Sequence, residues 1–191
     1  MVVSSWALLA DGPPQFVASS PTLQLLHLLT REIIKGHFNG TYHGIPNGAH
    51  FDSLKMGDII LLHNSDGAYG YWTHAALYVG AGRTIDANDF SKGTVLNYLS
   101  VYQSYDELAI YRPRLPNSLK RRVASLAVRS LGTPYNPFTT ICDQNSEYCS
   151  KLIWNSFSMC GVKLCPSNEW IVPDDLARSP ILYRIADWKS R

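Results

Sequence analysis

Short blocks of apolar residues, each closed by Gly, Pro, Asn or Asp, fill the middle of the chain and predict a strand-rich domain. Ile59-Ile60-Leu61-Leu62-His63 reads as a buried strand between the turns Leu54-Lys55-Met56-Gly57-Asp58 and Asn64-Ser65-Asp66-Gly67. Residues 72–79 form a second strand, and Gly80-Ala81-Gly82 folds it back onto 83–87 as a hairpin. Residues 95–99, 108–112 and 181–185 add further strands, Pro113 closing the second of these. Elsewhere the period is helical. Leu119, Val123, Leu126, Ala127 and Leu131 share one helix face, capped by Asn117 or Ser118 and ended by Gly132. A further helix starts near Ser146, carries Cys149, Leu152, Ile153 and Phe157, and stops at Gly161. The segment 171–176 turns into a short piece of chain. Upstream, Ser20-Pro21 opens a helix through Leu23, Leu26, Leu29 and Ile33, which Gly36 ends. Residues 37–50 then read as a loop rich in Gly, Pro, Asn and Thr. Strands in one run and helices in others give an α+β class.

Composition sharpens this. Of 191 residues, 46% are hydrophobic, 12% aromatic and 17% charged, enough for a sizeable core and too apolar for a disordered chain. A net charge of +2 is too weak to imply a nucleic-acid partner. Lys120, Arg121, Arg122 and Arg129 read as the solvated faces of their helix. No apolar run reaches the ~18–20 residues of a bilayer span, so no integral membrane segment is expected. Residues 1–10 are mildly apolar without Lys or Arg, a poor signal peptide.

Cys142, Cys149, Cys160 and Cys165 have no zinc-site spacing, and the loop histidines His37, His43 and His50 share theirs with no carboxylate. Neither a metal nor a cofactor is expected. Cys160 and Cys165 stand close enough in sequence to bridge in an oxidising compartment.

One cysteine differs by position. Cys149 falls in the first turn of its helix, where unpaired N–H groups and the macrodipole favour a thiolate. A thiolate nucleophile needs a base partner, and His74 beside the hairpin is the candidate. Pairing Val79 with Arg83 and Tyr78 with Thr84 puts residues 74, 76, 78, 84, 86 and 88 on one sheet face. Asp86 and Asn88 then both lie beside His74, and parity alone leaves the orienting group open between them. Asp143 and Glu147 near Cys149 would oppose a thiolate unless they point away.

These motifs stand in a telling order. Leu54-Lys55-Met56-Gly57-Asp58-Ile59-Ile60-Leu61 is followed by Thr73-His74-Ala75-Ala76-Leu77-Tyr78-Val79-Gly80 and Thr84-Ile85-Asp86-Ala87. Then come Gly132-Thr133-Pro134-Tyr135-Asn136, Tyr148-Cys149-Ser150-Lys151-Leu152-Ile153-Trp154 and Pro173-Asp174-Asp175-Leu176. The set resembles the circularly permuted branch of the NlpC-type papain-like cysteine hydrolases, in particular the bacterial YiiX-like proteins, whose histidine strand precedes the cysteine helix. The resemblance spans about residues 51–185. It implies a catalytic domain over 51–191, with 1–50 as an extension that could act as a lid. It also implies an antiparallel sheet packed against the helix that bears the nucleophile.

By resemblance Cys149 is the nucleophile, His74 the base and Asp86, where the family commonly has Glu, the third catalytic residue. Tyr148 and Tyr135 match family aromatics that line the substrate cleft, and Trp72 joins them as a substrate-binding residue. Lys151 stands near the helix start, where a positive charge would favour the thiolate. The implied activity is a cysteine hydrolase, an amidase or peptidase working through a thioester on small-molecule or peptide substrates such as cell-wall peptides. That substrate would place the protein outside the cytoplasm or in the cell envelope; another would leave it cytoplasmic. One alternative is a lipid acyltransferase or lipase like the lecithin:retinol acyltransferase branch, with Tyr71, Trp72 and Phe138 rimming an acyl-chain cleft. That branch usually carries a second His where this chain has Asp86. The other alternative is a ligand-binding module without turnover.

Overall fold

The computed structural model describes residues 39–166 and 169–190; the helix expected over 20–35 and His37 lie outside the described residues. Six strands form one sheet: β1 (Ile59–His63), β2 (His74–Gly80), β3 (Arg83–Asp89), β4 (Gly93–Tyr98), β5 (Glu107–Pro113) and β6 (Leu182–Lys189). Their order is β4-β3-β2-β1-β5-β6, with every neighbouring pair antiparallel. A 3-10 helix (Leu99–Gln103) joins β4 to β5. Helices α1 (Asn117–Val128), α2 (Cys149–Ser158) and α3 (Pro173–Ala177) follow β5.

Strand alternation divides the sheet into two apolar faces. Ile59, Leu61, Ala75, Leu77, Ile85, Ala87 and Ala109 pack with Val123 and Ala127 of α1 and Leu152, Ile153 and Phe157 of α2. Ile60, Leu62, Ala76, Leu108 and Ile110 pack on the opposite face with Ala49 and Tyr102. β1 is buried on both faces, which is why it reads as a continuous apolar run rather than an alternating one.

The β2–β3 turn departs from simple fold-back. Tyr78 pairs with Thr84 as expected, but Gly80, not Val79, pairs with Arg83. Val79 is the extra residue of a bulge. Ala81 and Gly82 at the tip both have left-handed backbones, φ 52° and 68°, which suit the twist of a two-residue hairpin turn. The register beyond the bulge is unchanged, so residues 74, 76, 84 and 86 still share a face.

Several boundaries differ from expectation: Pro116, not Asn117 or Ser118, stands at the N-cap of α1, which ends at Val128, β4 starts at Gly93 and β6 runs on to Lys189. β2 begins at His74, because Trp72 and Thr73 belong to an incoming loop. α2 begins at Cys149 rather than near Ser146. Glu147 is held extended, its N–H donating to Pro134 O and its carbonyl accepting from Asn136 N, both at 2.8 Å. The segment after 171 becomes α3, with Pro173 in its first turn. The Asp174 carboxylate accepts the N–H groups of Tyr71 and Trp72, at 3.1 and 2.8 Å, tying the loop before β2 to α3. That gives the Pro-Asp-Asp-Leu motif a structural role.

Residues 39–50 are strapped to the sheet rather than solvated throughout. His43 Nδ1 lies 2.6 Å from the Asp106 carboxylate, a partner 63 residues away that local spacing could not reveal. Asn47 donates to the carbonyls of Tyr102 and Tyr105 at 2.9 and 3.0 Å. Cys160 and Cys165 are both free thiols.

Candidate active site

α2 packs on the face of Ala75 and Leu77, so His74 and Asp86 point from the opposite face. The two sides meet at the end of the sheet, where β2 starts with His74 and α2 starts with Cys149. All three side chains are buried, at 1% exposure each. His74 Nε2 lies 3.1 Å from Asp86 Oδ2. Cys149 lies within electrostatic reach of the same imidazole. With Nε2 committed to the carboxylate, Nδ1 is the nitrogen for the thiol. Asn88, left open with Asp86 by parity, turns its amide to Asp89 instead.

Besides His74, two side chains hold Asp86. Asn97 Nδ2 donates to Oδ1 at 2.9 Å, and the Tyr102 hydroxyl donates to Oδ2 at 2.6 Å. Thr84 meets the same hydroxyl at 2.6 Å. Tyr105 stacks on His74, ring centroids 6.2 Å apart and planes 12° apart. Neither the Asn97 nor the Tyr102 support was legible beforehand. Tyr102 comes from a 3-10 helix with no periodic signature, and Asn97 from the neighbouring strand.

The electrostatics follow from this packing. Burial alone would lower the His74 pKa, but the charge of Cys149, hydrogen bonds to Asp86 and Cys149 and the Asp86 charge carry it from 6.5 up to about 10. The site therefore favours the charged imidazolium over the neutral ring. Its stabilising effect is complete below pH ~6.5 and is lost as the pH rises through about 10.

The acidic neighbours point away. Asp143 accepts from Thr139 and Ser146 at 2.5 and 2.6 Å, which hold its carboxyl well below the usual range. Glu147 bonds Asn155. Lys151 does not assist the thiolate as the sequence suggested. It is buried, and its ammonium donates to the carbonyls of Asp143 and Ser146 at 2.5 and 2.6 Å, fixing the loop before the nucleophile.

The expected cleft aromatics surround Cys149 but are largely covered. The Tyr135 hydroxyl meets that of Tyr69 at 2.8 Å, and Phe90 packs edge-on against the Tyr135 ring. Tyr148 is buried, its hydroxyl accepting the N–H of Ile171 at 3.0 Å. Trp72 lies in the same core cluster as Cys149. Burial, and after it the neighbouring charges including Cys149, push the Tyr69, Tyr135 and Tyr148 phenols upward, so they stay neutral donors at working pH. Of the proposed rim, Tyr71 and Phe138 are exposed.

A thiol beside a buried His–Asp pair, on an antiparallel sheet with its helix packed behind, defines a papain-like thiol hydrolase. The chain belongs to the permuted papain-like amidase enzymes of the YaeF/YiiX, C92 family, whose model matches residues 53–182. Among solved structures it is similar to the metalloprotein yiiX from Escherichia coli O157:H7, with TM-score 0.59 and 15% identity over 69% of this chain and 96% of that one. No curated protein matches. No helix of the described residues is long and apolar enough to cross a membrane.

Proposed function

We propose that the protein hydrolyses amide bonds of peptide or cell-wall-derived substrates through a Cys149–His74–Asp86 triad. The observation that carries this is the buried His74 imidazole, bonded to Asp86 and within electrostatic reach of Cys149. The Cys149 thiolate attacks the substrate carbonyl carbon, and the Cys149 N–H, at the first helical position, faces the developing oxyanion. His74 gives its proton to the leaving nitrogen as the C–N bond breaks, and the amine departs from a thioester. Water then attacks the thioester, passing a proton to His74, and the carboxylic acid leaves with the thiolate restored. Tyr135, Tyr148 and Trp72 shape the wall beneath the acyl group. The E. coli relative is described as a metalloprotein. Among the described residues no three His, Cys, Asp or Glu side chains converge to hold a metal, so no step is routed through one.

The substrate is decided by incubating the protein separately with muropeptides and with phospholipid vesicles. Release of amine from the muropeptide supports the amidase; turnover of lipid alone overturns it in favour of the acyltransferase alternative.

Two substitutions test the acid side. Asp86→Asn removes the negative charge and allows the wrong imidazole tautomer, a change that lowers kcat by about 10⁴ in a serine triad. The alkaline limb of the kcat/KM profile, expected near pH 10 in the wild type, moves toward neutrality in this variant. Tyr102→Phe loses the 2.6 Å bond to Asp86 but keeps the ring. It lowers kcat about tenfold with KM nearly unchanged, because a bond to a charged group is worth ~1.5–3 kcal/mol and part of that positions the carboxylate. An unaltered pH profile in both variants would remove Asp86 from the triad.

A further inference from the structure

Ser158 lies nine residues beyond Cys149, two and a half turns along α2, on the side of the helix opposite the thiol. On that side is a cavity of about 300 Å³, at the lower end of the range for small-ligand pockets. Ile141 and Met159 give it apolar walls, and Ser130, Ser158, Asn155 and Glu147 give it polar ones.

The carboxyl of Glu147 is under-partnered for a buried charge. The residue is 6% exposed, and a single donor, Asn155 Nδ2, reaches both its oxygens at 3.0 and 3.4 Å. A carboxylate offers about four acceptor positions. The nearest cation, Lys151, is committed to two backbone carbonyls. Burial chiefly, with some repulsion from Asp143, lifts the Glu147 carboxyl to about 7 against the opposing pull of Asn155 and Lys151. With Glu147 ionised, the groups facing it (Lys151 and Asp143) leave the site one negative charge in excess.

We propose that this cavity binds an organic cation, a primary ammonium or guanidinium on a short aliphatic chain. The charged head sits on the Glu147 carboxylate, and the methylenes lie between Ile141 and Met159. Cys149, His74 and Asp86 are not among the residues that line the cavity, so the site stands apart from the proposed triad.

Calorimetric titration of the full chain with n-butylamine tests this, with agmatine as the guanidinium probe and n-butanol and butyrate as controls. Butylamine stays cationic at pH 6 and pH 8, whereas the ionised fraction of a carboxyl titrating near 7 rises about tenfold between them. Saturable amine binding about tenfold tighter at pH 8, with neither control binding, is the expected result. Glu147→Gln loses both the affinity and its pH dependence. Ser158→Trp fills the cavity with the carboxyl intact and loses binding as well. The proposal fails if butylamine binds no better than butanol, if the two pH values agree, or if folded Glu147→Gln binds like wild type. The wild-type comparisons decide the matter even where a variant does not fold.

Discussion

Cys149→Ala leaves a folded protein with no measurable turnover. Loss of one triad member lowers kcat by roughly 10⁴–10⁶ in enzymes of this logic, and Ala leaves neither nucleophile nor thioester. The cost to the fold is small, because a single sulfur atom leaves the core. Melting temperature and circular dichroism therefore stay close to wild type while activity vanishes. The same variant separates catalysis from ligand binding: a module without turnover would keep its biological effect.

Alkylation of the wild type gives the matching positive result, because accessibility and reactivity rank the thiols differently. Cys142 is the exposed one, while burial pushes the Cys160 thiol upward and that of Cys165 to about 11. Cys149 is buried yet stands beside the His74 imidazole, whose charged form the site favours. Intact-mass and peptide analysis at pH 7 should show Cys149 labelled first. Labelling in order of exposure, with Cys142 first, would remove Cys149 from the nucleophile's role.

Arg112→Met has the largest expected effect on stability. Asp58 is fully buried at the turn into β1, and Arg112 grips both its oxygens, Nε to Oδ1 at 2.9 Å and Nη2 to Oδ2 at 2.6 Å. Nη2 also reaches Ser53 O, and the Lys55 N–H caps the same carboxylate. Removing one partner of a buried pair costs ~3–5 kcal/mol, since the other charge is stranded. The guanidinium touches solvent at its edge, so about 3 kcal/mol is the expected loss, measured as a drop in the urea midpoint at constant slope. The double variant Arg112→Met/Asp58→Asn should recover part of it. A single variant as stable as wild type would show that the pair adds nothing.

How much of this could be read beforehand depended on how local the cause was. The β1 run, the hairpin around Gly80-Ala81-Gly82 and the two amphipathic helices are set by neighbours in sequence, and they formed close to expectation. The side of the sheet shared by His74 and Asp86 followed from counting back through the turn, and the bulge at Val79 did not disturb it. The start of α2 was misplaced because Glu147 is held extended by Pro134 and Asn136, which no local pattern records. The supports of Asp86, the partner of His43 and the work of Lys151 were hidden for the same reason. Each depends on a residue that only the folded sheet or loop brings near.

The separation of His74 and Cys149 along the chain has a consequence for assembly. The proposed base, His74, opens β2 and the proposed nucleophile, Cys149, opens α2, with β3, β4, β5 and α1 synthesised between them. The two contact each other only after that intervening chain has closed, at the entropic cost of a long loop. Until then Cys149 lacks the neighbouring imidazole of His74. The rate at which a thiol reagent finds Cys149 during refolding therefore serves as a clock for completion of the sheet.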